Sequence, residues 1–221
     1  MLGTLFGAAA RRTLSASRDP RAVARLWRRT RALRRSAPAC AAPAHGALPG
    51  GAAAGSPGVA LLLRVLAWDH ALYAALREAG DDDAAAAAAV ERVNWSLARP
   101  GAVLAYRLVA LAGGLPLVRV RRVVDALFAG LFGAPFARDV HDEPRAVAFD
   151  VTRCPLAEYL AARGTPELTP YAACALDYRM AAEWGVDLVR TRTIAGGAAS
   201  CDFRFVPLER ARGRGPVGRR G

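Results

Sequence analysis

The sequence predicts an α+β domain: N-terminal helices followed by a small antiparallel sheet with two inserted helices. Three observations carry that prediction. Apolar residues recur at helical spacing between Val59 and Phe132, the period changes to two at Val147, and a Gly-Gly turn separates two further alternating stretches near the end of the chain. With 221 residues, 53% of them hydrophobic and 23% charged, there is material for one ordinary hydrophobic core.

Residues 1–57 read as a disordered leader rich in Arg, Ala and Pro. The span from Arg11 to Arg35 has the composition of a basic helix, but 37–57 is Ala/Pro/Gly/Ser-rich and carries no apolar period. The folded domain is therefore expected at 58–206. In it, Val59–Ala79 places Leu62, Val65, Leu66, Leu72, Tyr73 and Leu76 near helical spacing, closed by Gly80. Asp81–Asp83 suit the positive end of an alanine-rich helix, which Arg99-Pro100-Gly101 is expected to break. Two apolar helices follow near 102–112 and 118–132, and Gly133-Ala134-Pro135 ends the second.

His141 falls with Asp139, Asp142 and Glu143 in a polar loop, which reads as a solvated stretch and could also serve as a base or a weak metal cluster. Val147, Phe149 and Val151 then alternate with Ala148, Asp150 and Thr152, the mark of a half-buried strand. Leu156–Ala162 is a short helix ending at Gly164. Thr169-Pro170 opens another that reaches Trp184, with Thr as N-cap and Pro at the first helical position. Asp187–Ala195 and Ser200–Val206 read as two strands of a hairpin turning at Gly196-Gly197. Residues 207–221, mostly Arg, Gly and Pro, form a second disordered tail.

Charge excludes one function class once it is divided by position. The net charge is +12, and all 31 basic residues are arginine, a usage that fits G+C-rich coding bias. Ten arginines and one acid precede Gly58, and six arginines and one acid follow Phe203, whereas the body between them has fifteen arginines against seventeen acids. A slightly acidic body predicts no specific nucleic-acid partner. Four cysteines, none in a CxxC pair, do not make a disulfide framework. The apolar run Leu2–Ala10 precedes Arg11-Arg12, the reverse of an export signal. A membrane span needs about 20 apolar residues, and both candidates are interrupted, Gly58–Ala67 by Arg64 and 101–118 by Arg107, Gly113-Gly114 and Pro116. The expectation is a cytoplasmic protein without a membrane span, with its oligomeric state left open.

The residues able to do chemistry lie between 147 and 206. Cys154 precedes Pro155 and is placed as the N-cap of a short helix, where unpaired N–H groups and the helix dipole favour thiolate, and Arg153 adds to that field. The same placement also suits a small buried hydrophobe. Cys174, Asp177 and Tyr178 stand at i, i+3 and i+4 and share a helix face. A carboxylate there can orient a thiol, take its proton or hold a water, or simply pair with Arg179 or Arg190. Cys201, Phe203 and Phe205 share one strand face, with Asp202 and Arg204 on the other. Arg190 and Arg192, in the preceding strand, could grip a substrate carboxylate. The gaps between Cys154, Cys174 and Cys201 lack the paired spacing of a zinc site, so no metal and no cofactor is expected. No Walker loop, HExxH, GxSxG or dinucleotide fingerprint is present.

Three stretches in order, FDVTRCPLAEYL at 149–160, LTPYAACALDYRMA at 168–181 and RTRTIAGGAASCDFRF at 190–205, resemble the L-2-amino-thiazoline-4-carboxylic acid hydrolase family. The matched positions are Cys154, Cys174, Asp177, Tyr178, Cys201 and Asp202. The resemblance implies a hydrolase that opens a cyclic amidine at a C–N bond, giving an N-carbamoyl product, and leaves the substrate open. Joined to the local chemistry, it gives a reading in which Cys154 attacks a small cyclic amidine or amide acid. Asp177 and Cys174 assist, and Arg190, Arg192, Tyr178, Cys201 and Asp202 bind the substrate. The alternative is a non-catalytic module that binds or senses a small ligand on the same fold.

Overall fold

The structure, a computed structural model, describes residues 1–36 and 56–208. It has the α+β layout: five helices, then a four-stranded antiparallel sheet with further helices inserted. Helices α1 (Leu2–Leu14) and α2 (Pro20–Ser36) correct the expectation of a disordered leader over its first 36 residues. The expectation for 37–55 lies outside the described residues, as does that for 209–221. Phe6, Ala10 and Leu14 on α1, with Val23, Leu26 and Thr30 on α2, are spaced to bury one stripe each, while the arginines take the other faces. The abundance of arginine hid that period.

These helices lie on α3 (Pro57–Glu78), capped at its start by Ser56, whose Oγ accepts from the Val59 N–H at 3.3 Å. Phe6, Trp27 and Trp68 stack from three helices, with Trp27 and Trp68 centroids 5.4 Å apart. Gly7 is required at this contact, because a Cβ there would stand 2.3 Å from the Trp27 ring. By length and composition α3 could cross a membrane, contrary to the reading of the sequence; 56% of its apolar window is buried against the other helices.

Helix α4 (Asp83–Leu111) starts at Asp82, whose carboxylate accepts from the Ala85 N–H at 2.7 Å. It runs straight through Pro100, where the sequence suggested a break. Proline frees the carbonyl four residues back, that of Ser96, and both residues are exposed, so the helix does not need that bond in a dry interior. The C-terminal part of α4 then leads into α5 (Pro116–Gly130).

Strand order is β1-β2-β4-β3, with β1 Ala137–His141, β2 Val147–Arg153, β3 Val186–Val189 and β4 Cys201–Pro207. The polar loop assigned to His141 is in fact edge strand β1. Its ARDVH sequence has no apolar alternation because neither of its faces is buried, and its charges suit an edge. Between β2 and β3 lie α6 (Pro155–Ala161), a short 3-10 turn (Pro166–Leu168), a π-helical turn (Pro170–Cys174) and α7 (Ala175–Glu183). Thr169 adopts helical angles without a side-chain cap, which corrects its assignment as N-cap.

β3 is shorter than expected. After Val189 the Asp202 carboxylate accepts from the N–H groups of Thr191 (3.0 Å) and Arg192 (2.7 Å), so a side chain replaces the ladder. Arg190 and Arg192 thus lie in a loop, not a strand. Phe149 pairs with Phe203 and Val151 with Cys201 on the sheet's inner face, against Val120, Val123 and Val124 of α5 and Trp184 after α7. A second core, built from α1–α4, α6 and the turns at 166–172, adjoins it. Cys154 packs against both cores.

Candidate active site

The seam between the two cores is where the sequence-predicted residues meet. α6 begins at Cys154 because Pro155 fixes the first helical position, and β2 delivers Cys154 there. The π turn and α7 bring Cys174 and Asp177, and β4 brings Cys201. Cys201 acts on the ionisation of Cys154, Cys154 and Cys201 act on that of Cys174, and Asp177 acts on all three thiols. Among the described residues no group of His, Cys, Asp or Glu could hold a metal ion.

The anchor of this cluster is Arg190. Only 2% of its side chain is exposed. One Nη donates to Asp177 Oδ2 at 2.8 Å and the other to the Cys174 carbonyl at 3.0 Å. Its guanidinium lies 4.8 Å from the Tyr178 ring and 4.9 Å from the Phe203 ring, and its Nε is buried without a partner. Arg190 therefore holds Asp177 in place rather than standing free to grip a carboxylate. Burial pushes the Asp177 carboxyl up to about 6, against the opposing pull of Arg190.

The expected activation of Cys154 is corrected by the same surroundings. Its thiol makes no capping hydrogen bond, and burial pushes it up to about 11, outweighing the N–H groups of Leu156 and Ala157. Burial between two apolar cores removes water from the sulfur, a cost that the sequence position alone did not reveal. Cys174 rises to about 12 for the same reason. Cys201 is also raised by burial, although its Sγ accepts from the Ile194 N–H at 3.1 Å. The resting site therefore holds thiols and one carboxylate poised near neutrality.

Arg192 and Asp202 are not brought to this seam. Asp202 secures the loop, with the Thr191 hydroxyl also donating to it at 2.6 Å. Arg192 donates to Asp150 Oδ2 at 2.7 Å and to Ser200 Oγ at 3.2 Å. Asp150 also meets Arg204 (3.0 Å) and His141 (3.3 Å), so this network occupies the outer face of the sheet. Grooves of about 410 Å³ beside Pro100 and about 550 Å³ between α5 and β1 lie away from both groups.

Sequence reasoning missed Asp69 and Asn94. Asp69, fully buried on α3, accepts from Asn94 Nδ2 at 2.9 Å, and the same amide reaches the Ala172 carbonyl of the π turn at 3.1 Å. Burial pushes Asp69 up to about 8. A lone acid amid Leu66, Ala67, Ala71 and Leu72 in an otherwise apolar helix is the signal that could have found it.

Fold and site together define an α+β protein with a thiol-rich polar centre, built around one buried Asp–Arg pair at a helix–sheet seam. The family model described as L-2-amino-thiazoline-4-carboxylic acid hydrolase matches residues 62–205, and the chain belongs to that family. The matched span takes in the whole seam and leaves α1 and α2 outside. No curated protein and no solved structure matches the chain.

Proposed function

We propose that this protein hydrolyses a small cyclic amidine or amide acid, with Asp177 moving the protons and Cys154 forming the covalent bond. The observation that carries this reading is the Asp177 carboxyl at about 6, fixed by buried Arg190 and electrostatically linked to all three thiols. A base of that strength is ionised at neutral pH and close enough to neutrality to give its proton back.

Because Cys154 rests as a thiol, attack is coupled to deprotonation. Its sulfur bonds to the amidine carbon as the S–H proton passes to Asp177, and the ring bond to the leaving atom breaks as Asp177 returns that proton. Water then adds to the same carbon, again losing a proton to Asp177. Collapse expels the Cys154 sulfur, which recovers that proton, and the water's second proton passes from the new hydroxyl to the ring nitrogen as the carbonyl forms. The balance corrects one expectation. An N-carbamoyl product keeps both nitrogens on the carbonyl carbon, so for an aminothiazoline the bond that opens is ring C–S rather than C–N. The substrate carboxylate is then left to a group other than Arg190, whose two Nη are already engaged.

The test is incubation with 2-aminothiazoline-4-carboxylate and related cyclic amidines, reading released thiol and ring-opened product by mass spectrometry. Turnover that disappears in Cys154→Ala and Asp177→Asn is expected, with a product-sized adduct on Cys154 when the reaction is quenched early. Full activity in Cys154→Ala transfers the attack to a water held by Asp177. Saturable binding without turnover across the panel replaces the reading with a ligand-binding module.

A further inference from the structure

The tip of the α4–α5 hairpin presents an apolar face that the fold leaves uncovered. Leu104, Leu108 and Leu111 recur at i, i+4 and i+7 on α4, and Leu115 and Val118 continue the patch onto the start of α5. Leu111 is 85% exposed and Leu115 74%. Contiguous aliphatic surface of this kind marks an interaction site.

Charge identifies the partner. From Arg92 to Val124 there are six arginines and no acidic residue. Arg99 is paired with Glu183, but Arg107, Arg119, Arg121 and Arg122 have no carboxylate partner among the described residues. Arg107 sits on the leucine stripe itself, three residues after Leu104 and four before Leu111, and Arg122 folds over the tip to donate to the Gly113 carbonyl at 3.2 Å. Were a second copy to cover the patch in the symmetric pairing that dominates soluble dimers, it would set these arginines against their own counterparts with no carboxylate between them. An anionic bilayer instead offers acyl chains to the leucines and phosphate to Arg107 on the stripe and Arg122 at the tip. We propose that the α4–α5 tip docks this protein peripherally on an anionic lipid surface, with Leu104, Leu108, Leu111, Leu115 and Val118 entering the headgroup boundary.

The test uses the full chain in sedimentation with vesicles of phosphatidylcholine alone and of a roughly three-to-one mixture with phosphatidylglycerol. Binding to the mixed vesicles and not to the neutral ones is expected. Replacing the two leucines in L108Q/L111Q removes apolar area without changing charge, and partitioning should fall about tenfold or more. The melting temperature stays unchanged, since both side chains are exposed. R107Q/R121Q should weaken binding and flatten its salt dependence. Undiminished binding by L108Q/L111Q overturns the proposal and moves the contact to the arginines of α2. Equal binding to neutral vesicles, or a lipid-free dimer that L108Q/L111Q turns into monomers, overturns it as well.

Discussion

Asp69 in the helical half and Asp177 beside the sheet both have carboxyls that burial pushes up, and the two behave differently. Asp69, in the helical half, has an amide for a partner and no cation, and burial takes it to about 8. Asp177, beside the sheet, is also pushed up by burial but has Arg190 at 2.8 Å, and it stops at about 6. Asp177 also keeps 23% of its side chain exposed, whereas Asp69 keeps none. At neutral pH the first is mostly a neutral acid that ties α3 to α4 and the π turn, and the second is an ionised base. A single guanidinium, with a small opening to solvent, separates a structural acid from a reactive one.

The largest effect that sharpens this contrast is on turnover. Asp177→Asn removes the base and should lower kcat/KM for an aminothiazoline acid by about 10²–10⁴-fold, while Asp69→Asn stays within a few-fold of wild type. Equal losses in steady-state assays of the two variants would falsify the division of roles. Arg190→Met comes next. It leaves Asp177 buried without its cation, so the acid limb of the kcat/KM profile should move from near 6 toward the value that Asp69 shows. Unfolding in urea should show a loss of about 3 kcal/mol, as when one partner is taken from a buried pair.

Asp69→Asn is read through the pH dependence of stability. The folded carboxyl, at about 8, binds its proton more tightly than the unfolded one at 3.8, so the stability that Asp69 contributes is greatest at low pH. It then declines as pH rises from about 4 to 8, by up to about 1.4 kcal/mol per pH unit, and Asp69→Asn should remove that contribution to the slope in a urea series. The smallest effect is expected from Arg153→Gln. Its fork to Glu158 at 2.8 and 3.1 Å joins two partly exposed side chains and should be worth under about 1 kcal/mol. A larger loss would mean that enclosure is not what sets the strength of these pairs.

The parts of the fold legible in the sequence were those written as a period: α3, the alternation of β2, and the inner face of β4. Parts that depend on a partner in space were not legible. α1 and α2 show only a narrow apolar stripe among arginines, and it becomes meaningful once Trp68 and Phe6 meet Trp27. β1 has no buried face and so no alternation. Pro100 reads as a break because sequence cannot tell that its turn of helix faces water. At the site, motif spacing brought Cys154, Cys174, Asp177 and Cys201 into view, but the thiol ionisation was misjudged because a local N-cap argument omits the two cores that close over the sulfur. Arg190 and Arg192, two residues apart, look equivalent in the sequence. The loop after β3 turns one inward and the other onto the outer face, and that choice is made by Asp202 from the neighbouring strand.

The Trp27–Trp68 stack gives the molecule a built-in optical gauge. Two indoles 5.4 Å apart and 23° from parallel couple their excited states, so their circular-dichroism signal exists only while α2 rests on α3. Trp184 is fully buried in the other core, with its Nε1 donating to the Ala102 carbonyl at 3.2 Å, and emits from a separate, dry environment. Dichroism of the indole pair therefore follows the N-terminal helices, and the Trp184 share of the emission, taken by difference from Trp184→Phe because Trp27, Trp68 and Trp95 also emit, follows the sheet-side core. The two signals together show, without a label, whether the two halves come apart together or in turn.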